Sequence, residues 1–414
     1  MVRRLYFVLF FVLMLTLSLA VSGQELDFVL EHGTNVSTTA GAEETEVFND
    51  STLSASFRWD LSPWIRLNAG GFVSAGTPYD QVRGDLDLLS LRIEVPVTAG
   101  SIDESAQVPP SGFVRSPVFR ASVGRQTASE FSGFIMNTTV DGVSASYTNA
   151  TIDAGMLLGY SGLTMRAGSS LNGSDAEAAD SDNVFAPSRG IAQLKVAFPE
   201  LLSRQSVLFT AIGQYDLPEL ESSGLSGEES LYHSLHVGAG LTGPLSRLLF
   251  YTLFGYYQRP WLVDGENVTT ADEAALGGSI RLYVEELAYS TLQARAAIAT
   301  GAEGDGDLTG FRAVTDPVLN NQLEPALTDV WLGELSYSAR PLAPPYPRNT
   351  GVRVKGIYQA LGSGEDFLGS AAILDVRYQP TWDLNFILRG NAFWPTEDGS
   401  APLLQLDANV RLAF

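Results

Sequence analysis

From Leu404 to Phe414 every even-numbered position is apolar, while the odd positions hold Gln405, Asp407, Asn409, Arg411 and Ala413. An alternation of period two puts one set on each face of a β-strand. Three other stretches repeat it. Leu53, Ala55, Phe57, Trp59 and Leu61 oppose Ser54, Ser56, Arg58 and Asp60. Val352, Val354, Gly356, Tyr358 and Ala360 oppose Arg353, Lys355 and Gln359. Leu384, Phe386, Leu388, Gly390 and Ala392 oppose Asp383, Asn385, Arg389 and Asn391. These runs are longer than the usual strand of about five or six residues. They match the length of roughly 9–11 residues that a tilted strand needs to cross a bilayer. A sandwich would show shorter strands around a purely apolar core.

Extended along the chain, the pattern predicts eighteen strands. Their spans are 25–34, 51–61, 64–75, 84–97, 115–125, 137–148, 151–161, 189–198, 204–216, 230–242, 247–259, 271–284, 288–301, 327–340, 348–361, 366–379, 382–395 and 402–414. Connections after even strands are mostly tight, as at Ser62-Pro63, Asn149-Ala150 and Pro380-Thr381. Those after odd strands are mostly long, as at 35–50, 162–188, 217–229 and 302–326. Short turns at one end and long loops at the other mark a closed, antiparallel transmembrane β-barrel with both termini at the short-turn end. One connection, 98–114 with Pro109-Pro110, is too long for a tight turn, which leaves sixteen strands as the alternative.

Composition agrees with that class and excludes others. The 414 residues carry a net charge of −22, which argues against nucleic acid as a partner. There is no cysteine, so disulfides, thiolate metal sites and a lipid-anchored N-terminus are excluded. Of the 47 acidic residues, 24 fall in the long connections, against only Arg83, Arg166 and Arg312 of the basic ones. The acidity therefore belongs to one end of the molecule. Arg3 and Arg4, the apolar run from Leu5 to Ala20, and Val21-Ser22-Gly23 form the pattern of a cleaved signal peptide over 1–23. The expected mature chain, 24–414, is one barrel with acidic outer loops.

These features resemble a Gram-negative-type outer-membrane β-barrel protein of the porin class, over residues 24–414. In that class a C-terminal strand such as Leu406, Ala408, Val410, Leu412 and Phe414 serves as the signal for the barrel-assembly machinery. A weaker likeness lies in Val123-Gly124-Arg125-Gln126, Val140-Asp141-Gly142-Val143 and Gly159-Tyr160, similar to a strand–loop–strand stretch of several barrel porins. The resemblance implies an outer-membrane location, outer-membrane lipid as solvent and, as in many members, a homotrimer as one assembly state. Trp59, Trp64, Trp382 and Trp394 sit where two aromatic girdles are expected.

With apolar positions facing lipid, their neighbours face the lumen. Arg58, Arg66, Arg92, Lys195, Arg295, Arg353, Lys355, Arg377, Arg389 and Arg411 are the candidate pore-lining cations. Asp60, Glu94, Glu334, Asp375, Asp383 and Asp407 are the acids expected among them. Such a row either attracts anionic solutes or pairs across strands and stiffens the wall. Lys355 beside Arg353 is the best candidate for the first role. The loops 162–188 and 302–326 are the candidates for narrowing the lumen. The expected function is passive diffusion of small hydrophilic solutes. The alternative is a surface protein or adhesin, with the barrel as anchor and the acidic loops as binding surface. No enzyme, cofactor or metal site is expected. His233 and His236 are three apart on a strand and cannot chelate one ion. No Ser–His or Asp–His arrangement is identified by spacing.

Overall fold

The computed structural model describes residues 24–39, 45–62, 64–77, 81–96, 117–163, 188–202, 204–217, 231–264, 267–284, 287, 289–300, 310–315, 330–340, 351–363, 366–381, 383–396 and 401–413. The signal-peptide expectation, the 98–114 connection, Trp382, Phe414 and most of the loop 162–188 lie outside them. The strands are β1 (Gln24–Thr39), β2 (Thr45–Ser62), β3 (Ile65–Thr77), β4 (Gln81–Pro96), β5 (Val118–Ser129) and β6 (Asn137–Thr148). β7 (Asp153–Tyr160), β8 (Arg189–Leu202), β9 (Gln205–Asp216), β10 (Leu231–Pro244), β11 (Leu249–Asp264) and β12 (Asn267–Thr270) follow. The chain ends with β13 (Glu273–Val284), β14 (Ser290–Ala299), β15 (Val330–Ala339), β16 (Gly351–Ser363), β17 (Asp366–Gln379), β18 (Leu384–Pro395) and β19 (Leu403–Ala413).

Each wall strand pairs antiparallel with the next, and β1 pairs with both β2 and β19, so the sheet closes on itself. The four-residue β12 is a hairpin extension of β11, and the ladder continues from β11 to β13. Eighteen strands therefore form the wall, and sixteen is excluded. The critical contact is between β4 and β5, which pair directly (Glu94 opposite Arg120) despite the long connection between them. Closure leaves no open edge in the ring, so backbone donors and acceptors are satisfied between strands.

The outer face is apolar. Leu194, Leu253, Leu276, Leu335, Leu388 and Leu406 are among its exposed large side chains, on strands distributed round the ring. An apolar belt of this extent exceeds what water tolerates on a protein surface and suits hydrocarbon. Trp64 and Trp394 are exposed near strand ends.

The buried core lies inside the barrel. Phe134, Ile135 and Met136, from the β5–β6 connection, and Phe311 and Val314, from the β14–β15 connection, are wholly or almost wholly buried. They pack with Ile191, Ile212, Phe254, Ala275 and Leu332 of the wall. Two connections thus fold inward, and the wall strands that receive them carry apolar residues on the inner face as well.

Candidate functional site

The first inward segment is 130–136. Its turn is built by Glu130, a residue only 6% exposed. Glu130 Oε1 accepts from Ser132 Oγ (2.7 Å), Phe134 N (2.6 Å) and Ile135 N (3.0 Å). Its other oxygen accepts from Ser132 N (2.5 Å) and from the Tyr256 hydroxyl on β11. Gly133, with φ of 66°, supplies the left-handed residue that the tight turn needs. Phe131 stacks on Tyr256 with ring centroids 5.6 Å apart. A Cβ on Gly240 would stand 2.6 Å from the Phe131 ring, so β10 needs glycine there to admit it. The segment thus crosses from β5 to the far strands β10 and β11.

The second segment, 310–315, enters from β14 and meets the first. Phe311 N donates to Thr300 O (2.9 Å), Thr315 N to Ile135 O (3.0 Å) and Asn137 N to Thr315 Oγ1 (2.9 Å). Side chains of β10 and β11 hold its backbone as a neighbouring strand would. Arg312 N donates to Gln258 Oε1 (2.7 Å), and His236 Nε2 donates to Arg312 O (2.9 Å). The Arg312 guanidinium stands 5.8 Å from the centroid of the Tyr232 ring. The described part of the loop 302–326, residues 310–315, lies inside the barrel, and Arg312, grouped by sequence with the outer loops, is drawn in with it. The segment 130–136 was not expected inside the lumen. Four apolar residues in a connection, Phe131 and Phe134-Ile135-Met136, are the signal that could have found it.

The wall opposite these segments is polar and basic. Register places all ten candidate cations on one face of the sheet. Arg295 faces Glu334, Lys355 faces Asp375, Arg353 faces Arg377, and Arg389 faces both Asp375 and Asp407. Arg411 faces Glu31, Arg58 is in register with Glu25, Arg66 faces Asp60, and Arg92 faces Arg66. Two of the ten identify that face as the lumen. Lys195 Nζ donates to Ser129 O (3.0 Å) at the root of the first inward segment, and Arg295 lies 5.3 Å over the Phe134 ring.

Three acids on this wall are each shared by two arginines. Asp60 meets Arg66 (2.6 Å) and Arg58 (3.1 Å). Glu94 meets Arg120 (3.2 Å) and Arg92 (3.7 Å). Asp375 meets Arg377 (2.9 Å) and Arg389 (3.1 Å). Within each cluster two arginines share one carboxylate. The six arginine side chains remain 33–47% exposed. Arg120 is the member that sequence reading did not single out, although it obeys the same alternation. A cavity of about 620 Å³ separates Arg92, Glu94 and Arg120 from Phe131 and Lys195. Open space therefore lies beside the Arg92–Glu94–Arg120 cluster and the start of the first inward segment.

The stretch of weaker likeness has a structural role at the segment's root. Arg125 donates to both oxygens of Asp141, at 3.0 Å from Nε and 2.9 Å from Nη2, and to Leu163 O (2.8 Å). It joins β5, β6 and the start of the β7–β8 connection. His233 and His236 point to opposite faces, as period two demands. His233 packs against Tyr215 and Trp261, while His236 is buried inside against Phe311. The alternating residues Leu406, Ala408 and Val410 of β19 lie exposed on the outer face.

By sequence the chain matches no family model and no curated protein. By structure it is similar to Pseudomonas aeruginosa OpdO (TM-score 0.58, 12% identity, 95% of this chain and 98% of that one). OpdL of the same organism aligns with a TM-score of 0.58 and 12% identity, over 95% of this chain and 99% of that one. OccK11 (OpdR) aligns with a TM-score of 0.55 and 12% identity, over 94% and 96%. The likeness is one of fold, and it spans the whole of this chain's closed, eighteen-stranded barrel.

Proposed function

We propose that the chain works in the outer membrane of a Gram-negative-type cell as a porin-like channel, passing small hydrophilic solutes by passive diffusion and favouring anions. The observation that carries this reading is the set of six partly exposed arginines on the inner face of β2–β5 and β17–β18, sharing three acids, of which the Arg92–Glu94–Arg120 cluster lines a cavity with Phe131 and Lys195. A rim of fixed positive charge in a narrow aqueous passage concentrates anions and repels cations. The inward segments support a passage that is off-centre and narrow rather than a wide axial hole. The whole-barrel likeness to solved structures supports the channel architecture. The rival reading, an anchoring barrel with adhesive acidic loops, gains no support from them. The lumen supports conduction rather than catalysis.

Planar-bilayer recording of the chain refolded from Gln24 tests the proposal. Reproducible current steps, with a reversal potential in a KCl gradient that reports chloride preference, are expected. Folded, heat-modifiable protein that never conducts would overturn the channel reading. Steps with potassium preference would overturn the anion preference alone.

A further inference from the structure

We infer that Glu130 sets the width of the passage: its carboxylate is the positioning group that folds the segment 130–136 and pins it across the lumen to β11. This rests on the channel reading and names the residue on which its narrow section depends. The five hydrogen bonds described above converge on two oxygens, and four of them come from within the segment itself. They satisfy three backbone N–H groups of the inward loop, of which Phe134 N has a second acceptor in Ser132 Oγ (3.1 Å). A carboxylate suits the task because it is acceptor-only, with room for about four lone-pair contacts. The fifth bond, from the Tyr256 hydroxyl, is the only one that reaches the wall, and it comes from 126 residues away in the chain.

The second inward segment depends on the first. Thr315 bonds to Ile135 O and Asn137 N, at the end of the turn that Glu130 organises. Moving 130–136 therefore also releases one attachment of 310–315. None of the wall's ladder bonds passes through Glu130, so the barrel keeps its closure when this carboxylate is lost. Phe131, which Glu130 and Tyr256 hold in place, lines the cavity opposite Arg92 and Arg120. The carboxylate thus determines how close the apolar side of the passage stands to the basic side.

Bilayer recording of Glu130→Ala and Glu130→Gln beside the unaltered protein is the test, with heat-modifiable gel migration as the check of barrel folding. Glu130→Ala is expected to raise single-channel conductance by about twofold, add rapid fluctuations of the open level, and move the reversal potential towards zero as the section widens. Glu130→Gln sets an amide NH₂ against Ser132 N–H, but its Oε1 can still accept from all three donors, Ser132 Oγ, Phe134 N and Ile135 N, so it is expected to keep most of the original selectivity. Tyr256→Phe removes the wall pin alone and is expected to add fluctuations with a smaller rise in conductance. A folded Glu130→Ala barrel with unchanged conductance, noise and selectivity overturns the inference. Should that variant fail to fold, unchanged current in Tyr256→Phe does so. Absence of current from the unaltered protein sinks the channel reading instead, so the two failures are distinct.

Discussion

The two sides of the lumen are built from the same kind of strand and behave as different materials. On β8–β14 the inner face carries Ile191, Ile212, Phe254, Ala275 and Ala297, buried against Phe134, Ile135 and Phe311. On β2–β5 and β17–β18 the same face carries Arg58, Arg66, Arg92, Arg120, Arg377 and Arg389, partly exposed and sharing three acids. The outer face is apolar on both sides. One wall is therefore a protein core with lipid behind it, held by packing. The other is a thin partition between hydrocarbon and water, held by its ladder bonds and its outer apolar face.

This contrast can be broken in order of effect. Phe134→Ala removes a side chain that is 2% exposed at the centre of the packed side, and is expected to cost about 3–5 kcal/mol in denaturant unfolding from detergent. A cost under about 1 kcal/mol would mean that the inner cluster is not a true core. Leu388→Arg puts a charge on the outer face of the partition and is expected to cost about 2–4 kcal/mol of stability in lipid vesicles. Its chain neighbour tests the inner face of the same strand. Arg389→Ala is expected to change stability by no more than about 1 kcal/mol, because Asp375 keeps its bond to Arg377 (2.9 Å). Its reversal potential should still shift towards cations. Equal stability losses at 388 and 389 would contradict the partition picture. Lys355→Gln, on an exposed residue of the inner face, should give the smallest change: a slight loss of anion preference and an unfolding curve that overlays the original.

Almost the whole wall was legible in the sequence, because alternation is a local signal that strand geometry imposes residue by residue. The predicted spans 137–148 and 366–379 coincide with β6 and β17, and every other span overlaps one wall strand. The two-residue period also placed Arg353, Lys355 and Arg389 on one face, since register converts parity directly into side. What stayed hidden depends on contacts distant in the chain. Glu130 reads as one more acid in a connection until Tyr256 is seen to reach it. His236 and Gln258 read as polar members of strands until Arg312 is found between them. The inner core could have been suspected from β11, where Leu249-Phe250-Tyr251 and Tyr256-Tyr257 interrupt the alternation. A strand that is apolar on both faces has something to bury on both.

The ring closes where β1 meets β19, with Val29 opposite Ala413 and Thr39 opposite Leu403. That contact joins the first and last strands, so it has the longest sequence separation of any strand pairing among the described residues. Closing so long a loop adds little entropy beyond closing a shorter one, yet it must come late, because every intervening strand has first to be in place. Until then β1 and the latest strand to pair both present unpaired edges able to join other chains. The seam therefore acts as a completeness check: a chain truncated before β19 keeps an aggregation-prone edge at each side, however well its other hairpins form.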